Sequence, residues 1–234
     1  MRESTRIEEA RIRAAYARRE DGDRYSLFQP GTLFIAQQIE RRILWSLTRY
    51  GFADLSSKKI LEVGCGSGHW LRELTTWGAR PENVCGVDLL WDRLSKAKSS
   101  CSPAIRLQCG SAAELPFQDA SFDLVLQSTV FTSILDPDLK CRAAQEMMRV
   151  LTYDGIILWY DYRVNNPWNR DVRGVKRSEI KKLFPGCRME LRRMTLLPPL
   201  ARWLAPYSPL ACYVLEKLPP LRTHYLGVIR KVTS

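Results

Sequence analysis

The stretch Lys58-Lys59-Ile60-Leu61-Glu62-Val63-Gly64-Cys65-Gly66-Ser67-Gly68-His69-Trp70-Leu71 decides the fold. A short apolar run of strand character enters three glycines at alternate positions, and a helical pattern follows at about 69–77. Glycine has no Cβ, so such a loop turns tightly and lets the backbone approach a ligand closely. The spacing is GxGxG and not the GxGxxG that sets a pyrophosphate on a helix N-terminus. No Gly-Lys-Ser/Thr follows, which excludes a nucleoside-triphosphate loop. Taken alone, the glycines are also compatible with a purely structural turn.

Outward from this loop the pattern repeats. Apolar runs at Val84–Val87, Ile105–Leu107, Phe122–Leu126 and Ile156–Tyr160 are spaced by helical stretches at about 91–99 and 138–151. Buried runs alternating with helices predict a parallel sheet with helices on both faces. The second run ends in Gly86-Val87-Asp88-Leu89-Leu90, with Asp88 20 residues beyond Gly68. An acid at that place can accept both hydroxyls of a ribose. The third run ends in Gly110-Ser111-Ala112-Ala113-Glu114-Leu115-Pro116-Phe117 and the fourth in Leu126-Gln127. All four features fall at the carboxyl ends of strands, where ligands bind in such sheets.

In these residues the stretch Lys58–Asp161 resembles the class I methyltransferases that use S-adenosylmethionine, in the broad subgroup reading LeVGCGtG, GvDls, gdaeeLPF and FDlV. The features Trp77-Gly78-Ala79, Trp159-Tyr160-Asp161-Tyr162-Arg163 and Leu218-Pro219-Pro220-Leu221 are similar to bacterial type-11-like members found among polysaccharide and lipid biosynthesis genes. The resemblance implies a Rossmann-like α/β fold with a seven-stranded sheet in the order 3-2-1-4-5-7-6. It implies that Glu62, Gly64, Cys65, Gly66 and Gly68 hold the methionine part of S-adenosylmethionine. Asp88 would hold the ribose, Leu89 pack on the adenine, Ser111 and Ala112 meet its edge, and Gln127 lie beside the methionine portion. Ser111 stands where the subgroup usually has Asp, so the adenine amino contact is weakened or made by another group.

The flanks read differently. Residues 1–57 predict an N-terminal helical lid, with helices at Ser4–Arg19 and from Pro30 to about Tyr50 and with Tyr16 and Tyr25 as lid candidates. The methyltransferase domain is expected over 58–234, with a short helix near Ser178–Phe184 and last strands at Met189–Leu196 and Leu221–Val232. Between those strands, 197–221 is an apolar, proline-rich insertion expected to cap the acceptor side. The formal net charge of +11 lies wholly in residues 162–234, which hold fifteen Lys and Arg against four Asp and Glu. That asymmetry fits an anionic membrane surface or acceptor, or equally a solvated face. No apolar run approaches the ~18 residues of a membrane span. The N-terminus lacks a signal-peptide pattern. Seven cysteines without a CxxC pair, beside two histidines, read as reduced thiols in a cytoplasmic protein.

For catalysis, Asp161 ends the fifth strand and His224 opens the last, so both belong to the ligand edge. A carboxylate orienting a histidine is a general-base pair, and it favours O-methylation of a small-molecule, glycan or lipid-linked acceptor. N- or C-methylation, an RNA methyltransferase and a non-catalytic cofactor-binding protein stay open as alternatives. Asn166-Pro167-Trp168 follows the wrong strand for a DNA amino-methylating motif, and nucleic acid is not the expected partner. Asp161, Asn165 and Asn166 offer one carboxylate, too few for Mg²⁺, and no metal is expected.

Overall fold

The computed structural model describes residues 3–18, 26–167 and 169–232. β1 (Ile60–Val63) is buried along its whole length and lies at the heart of a seven-stranded sheet. It pairs in parallel with β2 (Val84–Asp88) and β4 (Phe122–Ser128). β3 (Arg106–Cys109) extends the sheet beyond β2, and β5 (Leu151–Tyr162) extends it beyond β4. β6 (Arg188–Leu196) and β7 (Arg222–Arg230) close the far edge, β7 antiparallel to both β5 and β6. The order β3-β2-β1-β4-β5-β7-β6 is the one implied by the resemblance. β5 begins earlier than expected: Leu151 leaves the helical pattern to pair with Phe122, and a register shift before Leu124 absorbs the polar residues that follow.

Helices cover both faces because both faces of the central strands are apolar. α1 (Glu3–Ala17), α5 (Pro137–Val150) and α6 (Arg177–Leu183) pack on one side, through Ile12, Leu139, Ala143, Met147 and Ile180. α2 (Pro30–Arg49), α3 (His69–Thr76) and α4 (Trp91–Ser100) pack on the other, through Ile43, Leu47, Leu71, Leu74 and Leu94. Asp136 caps α5, its carboxylate accepting from the Leu139 N–H at 2.6 Å.

The insertion between β6 and β7 forms α7 (Pro198–Leu204) and α8 (Pro209–Leu215). They bury Ala201, Ala205 and Cys212 against Phe34 of α2 and Leu196 of β6. α2 comes so near α7 that a Cβ on Gly31 would overlap the Arg202 backbone, and only glycine permits that approach. The apolar surface is not consumed by this packing. Trp203 is 67% exposed, Tyr207 81% and Leu210 72%, and Phe28, just before α2, is 99% exposed. No described helix is long and apolar enough to cross a membrane.

Candidate active site

The carboxyl ends of β1, β2, β3 and β4 surround a cavity of about 240 Å³. The glycine loop forms its floor. Gly64, Gly66 and Gly68 all have positive φ, at 74°, 53° and 79°. The Gly64 N–H donates to the Val87 carbonyl at 2.7 Å, and a Cβ at Gly64 would overlap the Val130 side chain. The loop thus lies flat against β2 on one side and against the chain after β4 on the other.

Asp88 ends β2 and is buried. Its Oδ2 accepts from the Gly66 N–H at 2.8 Å and its Oδ1 from the Leu90 N–H at 2.9 Å. One carboxylate therefore pins the glycine loop, shapes the next turn and still lines the cavity with spare lone pairs. Glu62 is buried in β1, and its Oε2 meets no donor. Burial, and then the neighbouring Asp88, push the Glu62 carboxyl well above the usual range. A buried carboxylate oxygen without a partner is costly, and an ammonium group would supply one.

Glu62, Gly64, Cys65, Gly66, Asp88, Leu89, Ser111 and Ala112 all line this one cavity. Gly68 stands one step behind as the left-handed residue that starts α3. Gln127 is fully buried beneath the chain after β4; its Oε1 accepts from the Val130 N–H at 3.2 Å and its Nε2 donates to the Tyr160 carbonyl at 3.5 Å. It supports the wall at Ser128–Val130 rather than forming it. The Ser111 hydroxyl accepts from the Ala113 N–H at 3.2 Å and is committed to its own turn.

These groups fit S-adenosylmethionine: an orphaned acid for the methionine amine, an acid at the end of β2 for the ribose, and a glycine cradle between them. Asp88 and Glu62 would hold the cofactor, with Leu89 and Ala112 along the adenine. When bound, the cofactor supplies a methyl already activated by a sulfonium.

Arg93, Ser133 and Glu9, which the sequence does not single out, also line the cavity, as do His69, expected only to cap or pack α3, and Ile12 of the first helix's apolar set. Arg93 stacks over the Tyr16 ring at 5.1 Å, and the Tyr16 hydroxyl lies 3.1 Å from the Ser133 hydroxyl. Tyr16 thus joins the cavity wall, while Tyr25 and Trp168 lie outside the described residues. α1 is fastened beside the cavity. Glu8 accepts from the Leu135 and Asp136 N–H groups, Arg11 donates to the Ser133 carbonyl at 2.6 Å, and Arg13 to the Leu89 carbonyl at 2.6 Å. Burial pushes the Glu8 carboxyl up, but Arg11 and those two N–H groups outweigh it and hold it below its usual range. The signal for this helix was an apolar and acidic stripe at helical spacing (Thr5, Glu8, Glu9, Ile12) inside an otherwise charged segment.

The expected Asp161–His224 base pair does not form. Asp161 pairs with Tyr225 across the strands, and Tyr162 pairs with His224. Successive residues of a strand point to opposite faces, so Asp161 and His224 lie on opposite sides of the sheet. Both are buried and neither lines the cavity. Asp161 accepts from the Thr132 N–H at 3.1 Å and from the Tyr162 N–H at 2.9 Å, and burial raises its carboxyl to about 6. His224 stacks on Tyr160 at 4.7 Å and shares a hydrogen bond of 2.9 Å with the Thr223 hydroxyl; burial lowers it to about 3, leaving a neutral ring. No residue of 197–221 lines this cavity. That segment packs on α2. Asn165 is spent on the Gly174 N–H at 3.0 Å, and no group of three His, Cys, Asp or Glu among the described residues is placed to hold a metal.

Comparison with known proteins agrees with this geometry. The family model described as a methyltransferase domain matches residues 60–155. A phthiotriol/phenolphthiotriol dimycocerosates methyltransferase of Mycobacterium ulcerans is 35% identical over 126 residues, covering 52% of this chain and 45% of the relative. A demethylmenaquinone methyltransferase of Staphylococcus aureus is 34% identical over 102 residues, covering 43% and 41%. The chain spans less than half the length of these relatives. Among solved structures, an S-adenosylmethionine-dependent methyltransferase of Methanosarcina mazei superposes with a TM-score of 0.59 at 17% identity, covering 80% of this chain and 98% of that one, a likeness of fold. Residues 60–155 of the chain thus match a methyltransferase domain, carried on a fold like that of solved S-adenosylmethionine-dependent methyltransferases.

Proposed function

We propose that this chain transfers the methyl of S-adenosylmethionine to a nucleophile on an amphiphilic or lipid-linked acceptor, working against an anionic membrane surface. The observation that carries the acceptor class is the exposed apolar edge made by Trp203, Tyr207 and Leu210 with Phe28. α7 and α8 follow the carboxyl end of β6 and precede the start of β7. Since β7 runs antiparallel to β5, this is the same edge of the sheet on which the cavity opens. Aromatic and aliphatic side chains at such an edge suit the boundary between water and lipid headgroups. The excess of basic residues after Tyr162 suits anionic headgroups, each worth about 1 kcal/mol near the surface before screening. Two of the relatives are named for dimycocerosate and menaquinone acceptors, which are lipid-like molecules.

The chain's own task in the reaction is placement. The glycine loop and Asp88 fix one reactant, and the wall at Ser128–Ser133 with α1 beside it excludes water. Orientation of this kind supplies up to ~7–11 kcal/mol of a barrier. With Asp161 and His224 apart, the preference for a hydroxyl loses its chemical ground. The proposal is methyl transfer to an oxygen, nitrogen or carbon atom of the acceptor. The test is sedimentation with vesicles of phosphatidylglycerol and phosphatidylcholine, combined with turnover on quinone, hydroxy-lipid and tRNA acceptors. Binding to anionic vesicles at low salt, lost in the variant Trp203→Ser with Leu210→Ser, supports the reading. Turnover on tRNA alone, with no vesicle binding, contradicts it.

A further inference from the structure

Glu9 carries a second orphaned acid into the cavity. It is 9% exposed, it lines the cavity, and its Oε1 meets no donor. Its neighbours on α1 are fully engaged: Glu8 holds the Leu135 and Asp136 N–H groups, Arg11 the Ser133 carbonyl, and Arg142 of α5 the Thr5 hydroxyl. The helix is thus held in place by bonds in which Glu9 takes no part, and its Oε1 stays without a donor beside the cavity. A group that costs stability and aims into a ligand cavity is a candidate for ligand contact.

The position of Glu9 indicates which part of a ligand it meets. It lies one helical turn before Arg13, whose guanidinium donates to the carbonyl of Leu89, the residue after Asp88. Ile12 beside it packs in one cluster with Leu115, which follows the β3 loop, and with Leu139 of α5. Glu9 lines the same cavity as Leu89 and the turn Ser111–Ala113, on a helix tied to Leu89 through Arg13 and to the Ser133–Asp136 stretch through Arg11 and Glu8. The other orphan on the cavity, Glu62 Oε2, belongs to β1, just before the glycine loop. S-adenosylmethionine likewise presents nitrogen donors at its two ends, the methionine ammonium and the adenine amino group, with the ribose between. Ser111 has no carboxylate, and its hydroxyl is committed to the Ala113 N–H.

Resting on the cofactor reading above, we infer that Glu9 of α1 accepts a hydrogen bond from the exocyclic amino group of the adenine, supplying from the N-terminal helix the acid that Ser111 does not. The N-terminal helix that lines the cavity then also reads the base. An oxo group in place of the amino group would set two acceptors against each other, and a site built to hydrogen-bond an N–H rejects an analogue lacking it.

The test titrates the full chain with S-adenosylhomocysteine and with its deaminated analogue S-inosylhomocysteine. The wild type is expected to prefer the adenosyl compound by about tenfold or more. Glu9→Ala is expected to weaken the adenosyl compound by about that factor and leave the inosyl compound nearly unchanged, collapsing the preference; Glu9→Gln, which keeps an acceptor, is expected to restore part of it. Removing an unpartnered buried carboxylate does not threaten folding, and a thermal melt of each variant verifies that. An unchanged preference in Glu9→Ala overturns the inference while the cofactor reading stands. Unchanged affinities with lost turnover also overturn it and turn Glu9 toward the acceptor. Failure of the wild type to bind either compound overturns the cofactor reading itself.

Discussion

Replacing Gly64 with alanine tests whether the glycine loop is shaped by close approach or by convenience. Two costs add. At φ 74° an alanine occupies the left-handed region, worth ~1–2 kcal/mol against an L-residue. Its Cβ would also overlap Val130 Cγ2, and relieving such overpacking costs ~1–3 kcal/mol. Gly64→Ala should therefore lose roughly 2–5 kcal/mol of stability in urea unfolding. Val130→Ala removes two carbons from a partly buried side chain and should cost up to about 1.6 kcal/mol. The double variant removes the overlap but keeps the backbone strain. It should be more stable than the sum of the single losses by the overlap cost, ~1–3 kcal/mol, which a double-mutant cycle resolves. Strict additivity would refute the argument that Val130 packs against the bare Cα and would mean that Gly64 serves the turn alone.

Other outcomes follow from individual groups. His224, lowered by burial to about 3, stays neutral in the fold while the unfolded chain protonates near its ordinary 6.5, so the fold loses stability as pH falls from about 6.5 towards 3; His224→Phe should flatten that slope in acid-unfolding curves, and an unchanged slope would contradict the burial argument. Asp161 acts with the opposite sign: its folded value of about 6 lies above the ordinary 3.8, so its contribution falls as pH rises through that window, and the difference curve between wild type and Asp161→Asn should slope there. If either variant instead abolished turnover while leaving cofactor affinity and stability intact, the separation of the two residues on opposite faces would be wrong. Glu8→Ala frees the Leu135 and Asp136 N–H groups and one side of Arg11; it should speed proteolysis within α1 and raise the cofactor off-rate, and protection equal to wild type would show that α1 is held by other contacts.

The parts of this molecule that were legible in the sequence share one physical property. β1, β2, β4 and the inner half of β5 are buried on both faces, so their apolar runs stand out without any need for register. Asp88 was legible because its place at the end of β2 follows from the strand itself. Asp161 and His224 were misread because a single residue of register decides which face a side chain takes, and the long connection between β5 and β7 gives no hold on that register. α1 hides its function for another reason. Its buried face carries Thr5, Glu8 and Glu9 beside Ile12, polar groups satisfied by the ends of distant elements or aimed into the cavity, so it reads as a solvated helix. The insertion after β6 was visible as apolar, but Leu, Trp and Pro look alike whether packed or exposed. Only the seating of α7 on α2 shows which of them remain outside.

The central claim is that the cavity between the glycine loop, Asp88 and α1 is the cofactor site. Calorimetric titration with S-adenosylhomocysteine, on the wild type and on Asp88→Ala, tests it most directly. Asp88 accepts a charge-assisted hydrogen bond from the Gly66 N–H and would accept another from a ribose placed against it; such bonds are worth ~1.5–3 kcal/mol each. The account predicts saturable binding at one site per chain, weakened at least about tenfold in Asp88→Ala, with the variant still folded by its unfolding transition. Absence of binding to the wild type, or equal affinity in a folded Asp88→Ala, would contradict it.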